Sequence, residues 1–206
     1  NRICTIGIQN ITEHEIDFAK EKGCRLKLLS RAEKLGNEVI AFVAPHFIRD
    51  DHFAYSVNNE FNAVIVEALF SDKQLFIGKG AGSYPTASAV LSDISALKFG
   101  YKYEYRKTVK ENSLNFSNDF FIKIYLGSKS VESINEIPFY KIDEIFQSEI
   151  YSYQTGWVRF SELENFDFNH HKNLSLVILP EKFEKADKFI KNKLERPVAL
   201  VEFNEL

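Results

Sequence analysis

The chain has 206 residues, 45% of them hydrophobic, and its 26 basic and 29 acidic residues give a formal net charge of −3. This apolar content is enough to form a core, so the composition predicts a globular protein and excludes a disordered chain. The balanced charge argues against a nucleic-acid groove or a membrane surface, and every apolar run is much shorter than a membrane-spanning helix.

The first helix and the first strands have clear local signals. Thr12 followed by Glu15 has the spacing of a capping box, which predicts the start of a helix, and Gly23 predicts its end. Residues 25–33 and 38–43 then predict two strands of a hairpin, because only a short turn separates them.

The stretch after the next pair of strands is the most distinctive in the chain. Strands are predicted at residues 62–70 and 73–77, followed by Gly-Lys-Gly-Ala-Gly at 78–82. Ser83 then predicts an N-cap and Gly100 a C-terminal cap of a long helix. Apolar residues recur at the helical spacing of one buried face: Ala87, Val90, Leu91, Ile94 and Leu97.

A glycine loop that leads into a helix has two interpretations. Glycine has no Cβ and tolerates positive φ, so a ligand can approach the bare backbone, and the first N–H groups of the helix favour phosphate, carboxylate or a carboxamide oxygen. A tight structural turn explains the same residues. The loop has neither the P-loop spacing nor the G-x-G-x-x-G spacing, because Lys79 precedes the last two glycines and only one residue separates Gly80 from Gly82.

The second half has a different composition. Residues 101–118 are polar and predict a linker, after which residues 119–206 predict a second unit. Its elements, in order, are a strand at 120–126, a helix at 141–148, strands at 151–160 and 174–179, a helix at 182–194 and a strand at 198–203. This β-α-β-β-α-β order is that of the ferredoxin-like fold.

Histidines and cysteines do not predict a metal site. His46 and His52 flank Asp50 and Asp51 in a stretch that is predicted to be irregular and solvated, but no further ligand cluster completes a set. The pair at 170–171 predicts an exposed turn. The two cysteines, Cys4 and Cys24, predict small buried apolar residues and no disulfide framework.

Residues 62–64 (Asn-Ala-Val), the loop at 78–82 and Pro85-Thr86-Ala87 resemble the closing segment of the homoserine dehydrogenase substrate domain. The match extends upstream through Ile11-Thr12 and Lys27-Leu28-Leu29 and covers about the first half of the chain. The resemblance implies residues 1–100 as the C-terminal portion of that substrate and dimerisation domain. The fold implied is α+β, with a mostly antiparallel sheet and flanking helices.

The second half, after such a domain, resembles an ACT regulatory module. Gly127 is the only candidate for the glycine near which ACT domains bind amino-acid effectors, and a role in packing or association is the simpler interpretation. A different class of function also remains open: a non-enzymatic, ACT-linked amino-acid sensor or an oligomerisation module.

The resemblance implies an oxidoreductase that uses NAD or NADP to interconvert aspartate 4-semialdehyde and L-homoserine in threonine, methionine and isoleucine biosynthesis. It places Gly82 against the nicotinamide end of the cofactor, with Gly80 and Ala81 shaping the same wall. Members of this family have their nucleotide-binding domain and catalytic lysine before the segment matched here. No catalytic residue is therefore expected among residues 1–206.

The sequence starts at Asn1 and contains no methionine, which suggests a piece of a longer protein. The piece alone is expected to be inactive. Few cysteines and no signal peptide favour the cytoplasm. A homo-oligomer, most simply a dimer, is expected because sheets of this kind commonly pair between subunits.

Overall fold

The structure, a computed structural model, describes residues 3–102, 115–129, 133–168 and 170–194. The helices are α1 (Glu13–Glu21), α2 (Ser83–Lys98), α3 (Phe160–Glu164) and α4 (Ala186–Leu194), with a 3₁₀ turn at Ser133–Asn135. The strands are β1 (Cys4–Thr5), β2 (Arg25–Leu35), β3 (Glu38–Ile48), β4 (Phe61–Ala68), β5 (Asp72–Lys79), β6 (Asn115–Phe116), β7 (Phe120–Ser128), β8 (Lys141–Gln147), β9 (Ser152–Arg159), β10 (Leu174–Ile178) and β11 (Glu184–Lys185).

The described residues form two compact units. One contains residues up to 47 together with those from 115 onward, and the other contains residues 48–102. The first unit is built on a nine-stranded sheet, and the second is built on the two-stranded sheet β4–β5 and the helix α2.

The nine-stranded sheet joins strands from both sides of the predicted linker. Its main path runs β1-β3-β10-β7-β9-β8, with β2 and β6 also paired to β3 and β11 paired to β7. The β10-β7-β9-β8 part is antiparallel throughout, whereas β1, β6 and β10 meet β3 in parallel. The family-like first half and the second half therefore share one hydrogen-bonded sheet.

Both faces of the sheet are covered, so its central strand β7 is buried almost along its whole length. Phe120, Ile122, Ile124 and Leu126 face one core, which also contains Phe160 and Leu163 of α3. On the opposite face α1 packs over the sheet through Phe18 and Ala19 against Phe47, Tyr125 and Val177. Phe189 of α4 covers Phe121 and Trp157 on that same face.

A buried carboxylate connects α1 to β10 and to Tyr151, the residue just before β9. Glu15 is 0% exposed. One of its oxygens accepts from the N–H of Thr12 at 2.6 Å and from the Thr12 hydroxyl at 2.7 Å. The other accepts from the Ser175 hydroxyl at 2.5 Å and from the Tyr151 hydroxyl. Four donors thus satisfy the two oxygens of a carboxylate that water does not reach.

Two tyrosines extend this network across the sheet. The Tyr125 hydroxyl lies 2.7 Å from that of Tyr151 and must donate to it, because Tyr151 donates to Glu15. Burial, and then the neighbouring Glu15 carboxylate, raises the pKa of Tyr151 above its usual range. Burial also raises the pKa of Tyr125. Both hydroxyls therefore keep their protons, and remain donors, at physiological pH.

The structure confirms most predicted elements of the first half. The capping box at Thr12 and Glu15 is present in full, and Gly23 has a positive φ just beyond the end of α1. The β2–β3 hairpin is formed, but β3 continues to Ile48. The irregular stretch predicted at residues 45–54 is therefore wrong for 45–48 and confirmed for 49–54, which lie in turns. Pro45 is tolerated in β3 because β1, β6 and β10 each pair with only one or two residues of this strand.

One predicted helix of the second half was wrong. Residues 141–147 form the strand β8, which pairs with β9 and contains an irregularity between Ile142 and Glu144. Ile142, Ile145 and Phe146 fit a helical period, but the available hydrogen-bonding edge of β9 decides the conformation. The predicted strands at 120–126, 151–160 and 174–179 are confirmed as β7, β9 and β10. The predicted helix at 182–194 begins only at Ala186, and the strand predicted at 198–203 lies outside the described residues.

The second unit exposes much of its apolar surface. The antiparallel register of β4 and β5 places Val64 opposite Phe76 on one face and Ile65 opposite Leu75 on the other. These four side chains are 60%, 57%, 36% and 37% exposed, respectively. The predicted strands and their connecting turn are confirmed within two residues.

Helix α2 forms as predicted but buries none of its residues. The prediction that its apolar stripe is buried was therefore wrong for this chain: Val90, Leu91, Ile94 and Leu97 are 53–75% exposed. Amphipathic spacing shows that a helix face is suited to packing, but it does not supply a partner. No helix among the described residues is long and apolar enough to cross a membrane.

The buried carboxylate generates a stability prediction. Glu15→Gln would keep the side-chain shape but turn an NH₂ group toward donors, and unsatisfied buried donors are costly. We expect this change to lower the free energy of unfolding by at least about 2 kcal/mol. Urea unfolding followed by the fluorescence of Trp157, the one tryptophan of the sequence, reports directly on this unit.

Glu13→Gln is the matched control, because Glu13 lies on the same helix and is exposed. It should change the free energy of unfolding by less than about 0.5 kcal/mol. Equal unfolding midpoints for Glu15→Gln and the unchanged chain would show that the Glu15 network does not stabilise the unit.

Candidate functional site

The glycine loop between β5 and α2 is the candidate site. Gly82 has φ +118° and ψ 150° and is the N-cap residue of α2. Its carbonyl oxygen accepts from the backbone N–H of Thr86 at 3.2 Å and from the Thr86 hydroxyl at 2.9 Å. Gly82 thus uses the positive φ that glycine tolerates, while the prediction of Ser83 as N-cap was wrong by one residue. Gly82 takes the N-cap position because glycine tolerates the positive φ at which its carbonyl oxygen can accept hydrogen bonds from Thr86 in the first turn.

Gly80 is constrained by space instead of by its backbone angles. Its N–H donates to the carbonyl of Glu60 at 2.8 Å, which continues the β4–β5 ladder past the last residue of β5. A Cβ on Gly80 would overlap the side chain of Asn62, with Cγ only 2.5 Å away. Gly78 differs, because a Cβ there would meet no atom within 4 Å.

An ion pair lies beside the loop. The Lys79 ammonium is 3.1 Å from Glu60 Oε1, and it also lies 5.6 Å from the centre of the Phe61 ring. The pKa of the Glu60 carboxyl is lowered, first by a hydrogen bond from its own backbone and then by Lys79. Both side chains are about half exposed, so the pair contributes little to stability.

Two shallow, open depressions lie on the two sides of the glycine segment. One is lined by Glu60, Lys79, Ala81, Gly82, Ser83, Tyr84, Pro85 and Ser88. The other follows one face of the hairpin and is lined by Asn62, Ala63, Val64, Phe76, Ile77, Gly78, Lys79 and Gly80.

The chemistry available in the first depression is binding, not proton transfer. Its only charged lining residues, Glu60 and Lys79, are paired with each other. What it offers a ligand is bare backbone at Gly82 and the N–H groups at the start of a 16-residue helix. The three predicted cofactor-binding residues, Gly80, Ala81 and Gly82, are brought together in one exposed turn.

The histidines take other roles. His46 was predicted in a solvated loop, but it is 2% exposed within β3, with Nδ1 2.8 Å from the Ala44 carbonyl oxygen. His52 accepts from the N–H of Ala54 at 3.1 Å and so stabilises a turn. No three His, Cys, Asp or Glu side chains of the described residues are grouped in a way that could hold a metal ion.

The pair at 170–171 lies in a turn, as predicted, and both side chains contact carboxylates. His170 Nδ1 is 2.5 Å from Asp167 and His171 Nδ1 is 2.7 Å from Glu136. His170 is 84% exposed on its side chain, whereas His171 is only 36% exposed. Cys4 and Cys24 are half-buried and are not joined in a disulfide, and burial raises the pKa of Cys4 to about 11.

The space beside Gly127, the candidate effector glycine, is occupied by side chains of the protein itself. A Cβ there would lie 2.6 Å from Ser175 Oγ and 2.7 Å from Glu15 Oε1, and it would overlap the Tyr151 hydroxyl. The glycine is therefore needed so that the Glu15 network can cross the sheet. Sequence reasoning missed this role, although the capping-box glutamate and the glycine were both visible.

Comparisons with known proteins point to one family. Residues 1–95 match the family model for homoserine dehydrogenase. The homoserine dehydrogenase of Bacillus subtilis is 30% identical, in an alignment that covers 76% of this chain and 42% of that protein. That of Corynebacterium glutamicum is 42% identical over 93 residues, which cover 43% of this chain and 21% of the relative.

Solved structures of homoserine dehydrogenases share the fold. The enzyme from Thiobacillus denitrificans aligns with a TM-score of 0.58 at 22% identity, covering 85% of this chain and 47% of that structure. An S. aureus homoserine dehydrogenase structure at pH 7.5 gives a TM-score of 0.52 at 23% identity, with 85% and 46% covered.

The chain spans about two fifths of the length of the B. subtilis relative. The matched region contains β4, β5, the glycine loop and most of α2. The chain is therefore similar to the homoserine dehydrogenases, whose family model matches residues 1–95, and it shares the fold of their solved structures.

Proposed function

We propose that the chain is part of an NAD- or NADP-dependent homoserine dehydrogenase, an oxidoreductase that interconverts aspartate 4-semialdehyde and L-homoserine. The observation that carries the proposal is the loop from Gly80 to Gly82, which presents bare backbone at the start of α2 within the family-matched region. The pathway would be the biosynthesis of threonine, methionine and isoleucine.

The residues of the loop fit a flat cofactor ring. Gly82 has a backbone conformation that side-chain-bearing residues rarely adopt, and the missing Cβ leaves its backbone open to close approach. Gly80 and Ala81 would form the adjoining wall. The nicotinamide cofactor would supply the hydride, and this chain's contribution would be to set the position of the ring and to keep side chains away from it.

The groups that move protons would come from elsewhere in the full-length protein. The residues that line the first depression include no histidine or cysteine, and their only charged side chains are engaged with each other. We assign no catalytic residue to this chain. A dehydrogenase also needs a nucleotide-binding unit, and the sequence contains no G-x-G-x-x-G.

For the second half we propose an ACT-like arrangement that is used for packing. Its support is the strand order β10-β7-β9-β8: the first and third of these strands along the chain, β7 and β9, are neighbours in the centre, and the second and fourth, β8 and β10, lie outside them. The space beside Gly127 is occupied by the Glu15 network, which argues against an amino-acid effector at that glycine.

The proposal predicts that residues 1–206 alone have no dehydrogenase activity, whereas the full-length protein does. The reason is that the groups for nucleotide binding and proton transfer are not supplied by this chain. NAD(P)H oxidation with aspartate 4-semialdehyde would be followed spectrophotometrically for both proteins at equal concentration. Turnover by the isolated chain would refute the assignment of catalysis to residues elsewhere.

A second prediction concerns self-association. The hairpin of β4 and β5 has exposed apolar side chains on both faces, so burial on both sides requires a partner surface. We propose a second copy of the chain as one such partner. Analytical ultracentrifugation at tens of micromolar should show a dimer, and Phe76→Glu should shift it to the monomer.

Ile8→Glu is the control for that experiment, since Ile8 is 53% exposed but belongs to the other unit. It should leave the dimer intact. A monomeric mass for the unchanged chain, or equal dissociation by both substitutions, would count against an interface at the hairpin.

The third prediction tests the loop in the full-length protein. Gly82→Val places a β-branched residue at positive φ, with its Cβ 3.3 Å from Pro85 Cδ, and so shifts the backbone that we propose faces the cofactor ring. The backbone strain should cost about 1–3 kcal/mol, which a domain of ordinary stability survives. Turnover should fall by on the order of a hundredfold, because a displacement near 1 Å at the reacting centre has that effect.

Gly100→Val is the matched control, because Gly100 has φ +69° at the other end of α2 and open space around its Cα. It imposes similar strain away from the loop. Steady-state kinetics beside thermal melting separate the two effects: kinetics equal to those of Gly100→Val, or a wholly unfolded Gly82→Val protein, would leave Gly82 as a structural glycine.

A further inference from the structure

The strand β8 lies at the outer edge of the nine-stranded sheet. It pairs with β9 along one side, and no strand in the described part of the chain pairs with its other side. Its apolar side chains are exposed on both faces of the sheet, because Ile145 and Phe146 are consecutive and are 58% and 46% exposed. A free edge with apolar side chains is a place where one more strand can join the sheet.

The helix α4 leads the chain towards this edge. It follows β11, which pairs with β7. Phe189 of α4 stacks on Phe121 of β7, with the ring centres 4.2 Å apart. The same ring lies 5.0 Å from that of Trp157 in β9 and 5.4 Å from that of Tyr140, the residue directly before β8. The helix therefore crosses one face of the sheet from β7 towards β8.

The chain has a segment of the right kind directly after α4. Residues 195–206 follow the helix and lie outside the described residues, and Val-Ala-Leu-Val-Glu-Phe at 198–203 predicts a strand. The strands β7, β9 and β10 each have a neighbouring strand on both sides, so they offer no edge to this segment. The free edge towards which α4 leads is that of β8.

The topology also gives the direction of such a strand. β7 and β8 are parallel, because both are antiparallel to β9, and β11 is antiparallel to β7. A crossover from β11 through α4 to a parallel strand thus places residues 198–203 antiparallel to β8. It has the same hand as the crossover from β9 through α3 to β10, since α3 covers the opposite face and leads the opposite way across the sheet. Crossovers of this kind are almost always right-handed.

The side chains of the two segments are complementary. One antiparallel register places Val198 opposite Phe146. Counted along the strands, with Asp143 left unpaired at the irregularity of β8, the same register places Glu202 opposite Lys141. Apolar pairs and pairs of opposite charge across a ladder both stabilise a sheet. This register therefore covers the exposed apolar side chains of β8 and matches its first residue with a carboxylate.

We infer that residues 198–203 dock antiparallel on the free edge of β8 as the last strand of the sheet. The occupant of this edge is the chain's own C-terminal segment, and it closes the edge against a strand of another molecule. The inference concerns the second half of the chain and does not depend on the proposed function of the glycine loop.

The test is hydrogen exchange of the full-length protein, followed by mass spectrometry of peptides that cover residues 141–147. About half of these amides point away from β9 and should be protected in the unchanged protein. Leu200→Pro/Val201→Pro removes two consecutive N–H groups, one of which must face β8. In this variant the outward-pointing amides of β8 should exchange at least about tenfold faster.

Asn204→Pro/Glu205→Pro is the matched control, because it introduces the same two prolines directly after the predicted strand. It should leave exchange in β8 unchanged. The amides of β10 are the internal reference, since β10 is paired on both sides. If Leu200→Pro/Val201→Pro also exposes β10, Leu200→Gly/Val201→Gly takes its place, because it weakens the strand without removing N–H groups.

Fast exchange of the outward-pointing amides in the unchanged protein would overturn the inference without the use of any variant. Equal exchange of β8 in the variants at 200–201 and at 204–205 would overturn it as well. Protection that disappears when the protein is diluted to a monomeric mass would assign the edge to a second copy of the chain instead of to its own C-terminal segment.

Discussion

The carboxylate of Glu15 is the constraint on which the larger unit depends. It is fully buried, and its four hydrogen bonds come from the N-cap of its own helix, from the loop before β9 and from β10. A buried carboxylate without such donors would be strongly destabilising. The helix α1 must therefore lie over β7, β9 and β10 in one orientation, and Gly127 must lack a side chain so that the hydroxyls can reach the carboxylate.

This constraint explains why the two halves of the chain are not separate layers. The family match ends at residue 95, but β3 of the matched region pairs with β10 of the second half, and α1 packs on the second half's strands. Contacts at the other end of the sheet repeat the pattern, with Lys185 2.9 Å from Glu38 and Arg31 over the Phe183 ring. The boundary in sequence similarity is therefore crossed by hydrogen bonds, ion pairs and a shared core.

The smaller unit has the opposite character. The hairpin of β4 and β5 and the helix α2 are regular, yet their apolar side chains are largely exposed. Their order comes from local interactions: the antiparallel ladder, the hydrogen bond from Gly80 N–H to the Glu60 carbonyl and the carbonyl of Gly82 at the start of α2. A candidate site built in this way has a backbone that local hydrogen bonds define.

Local chemistry was readable from the sequence, because it depends on neighbours within a few residues. The capping box of α1, both hairpins, the positive φ of Gly82 and the family resemblance of the glycine loop all belong to this class. Only the tertiary structure decided which patterns were used for packing. The free edge of β9 made residues 141–147 a strand, a buried network gave Glu15 and Gly127 their roles, and the apolar stripe of α2 stayed exposed. These outcomes depend on which strand edge, buried donor or packing surface the folded chain brings to a residue, and spacing along the sequence does not contain that information.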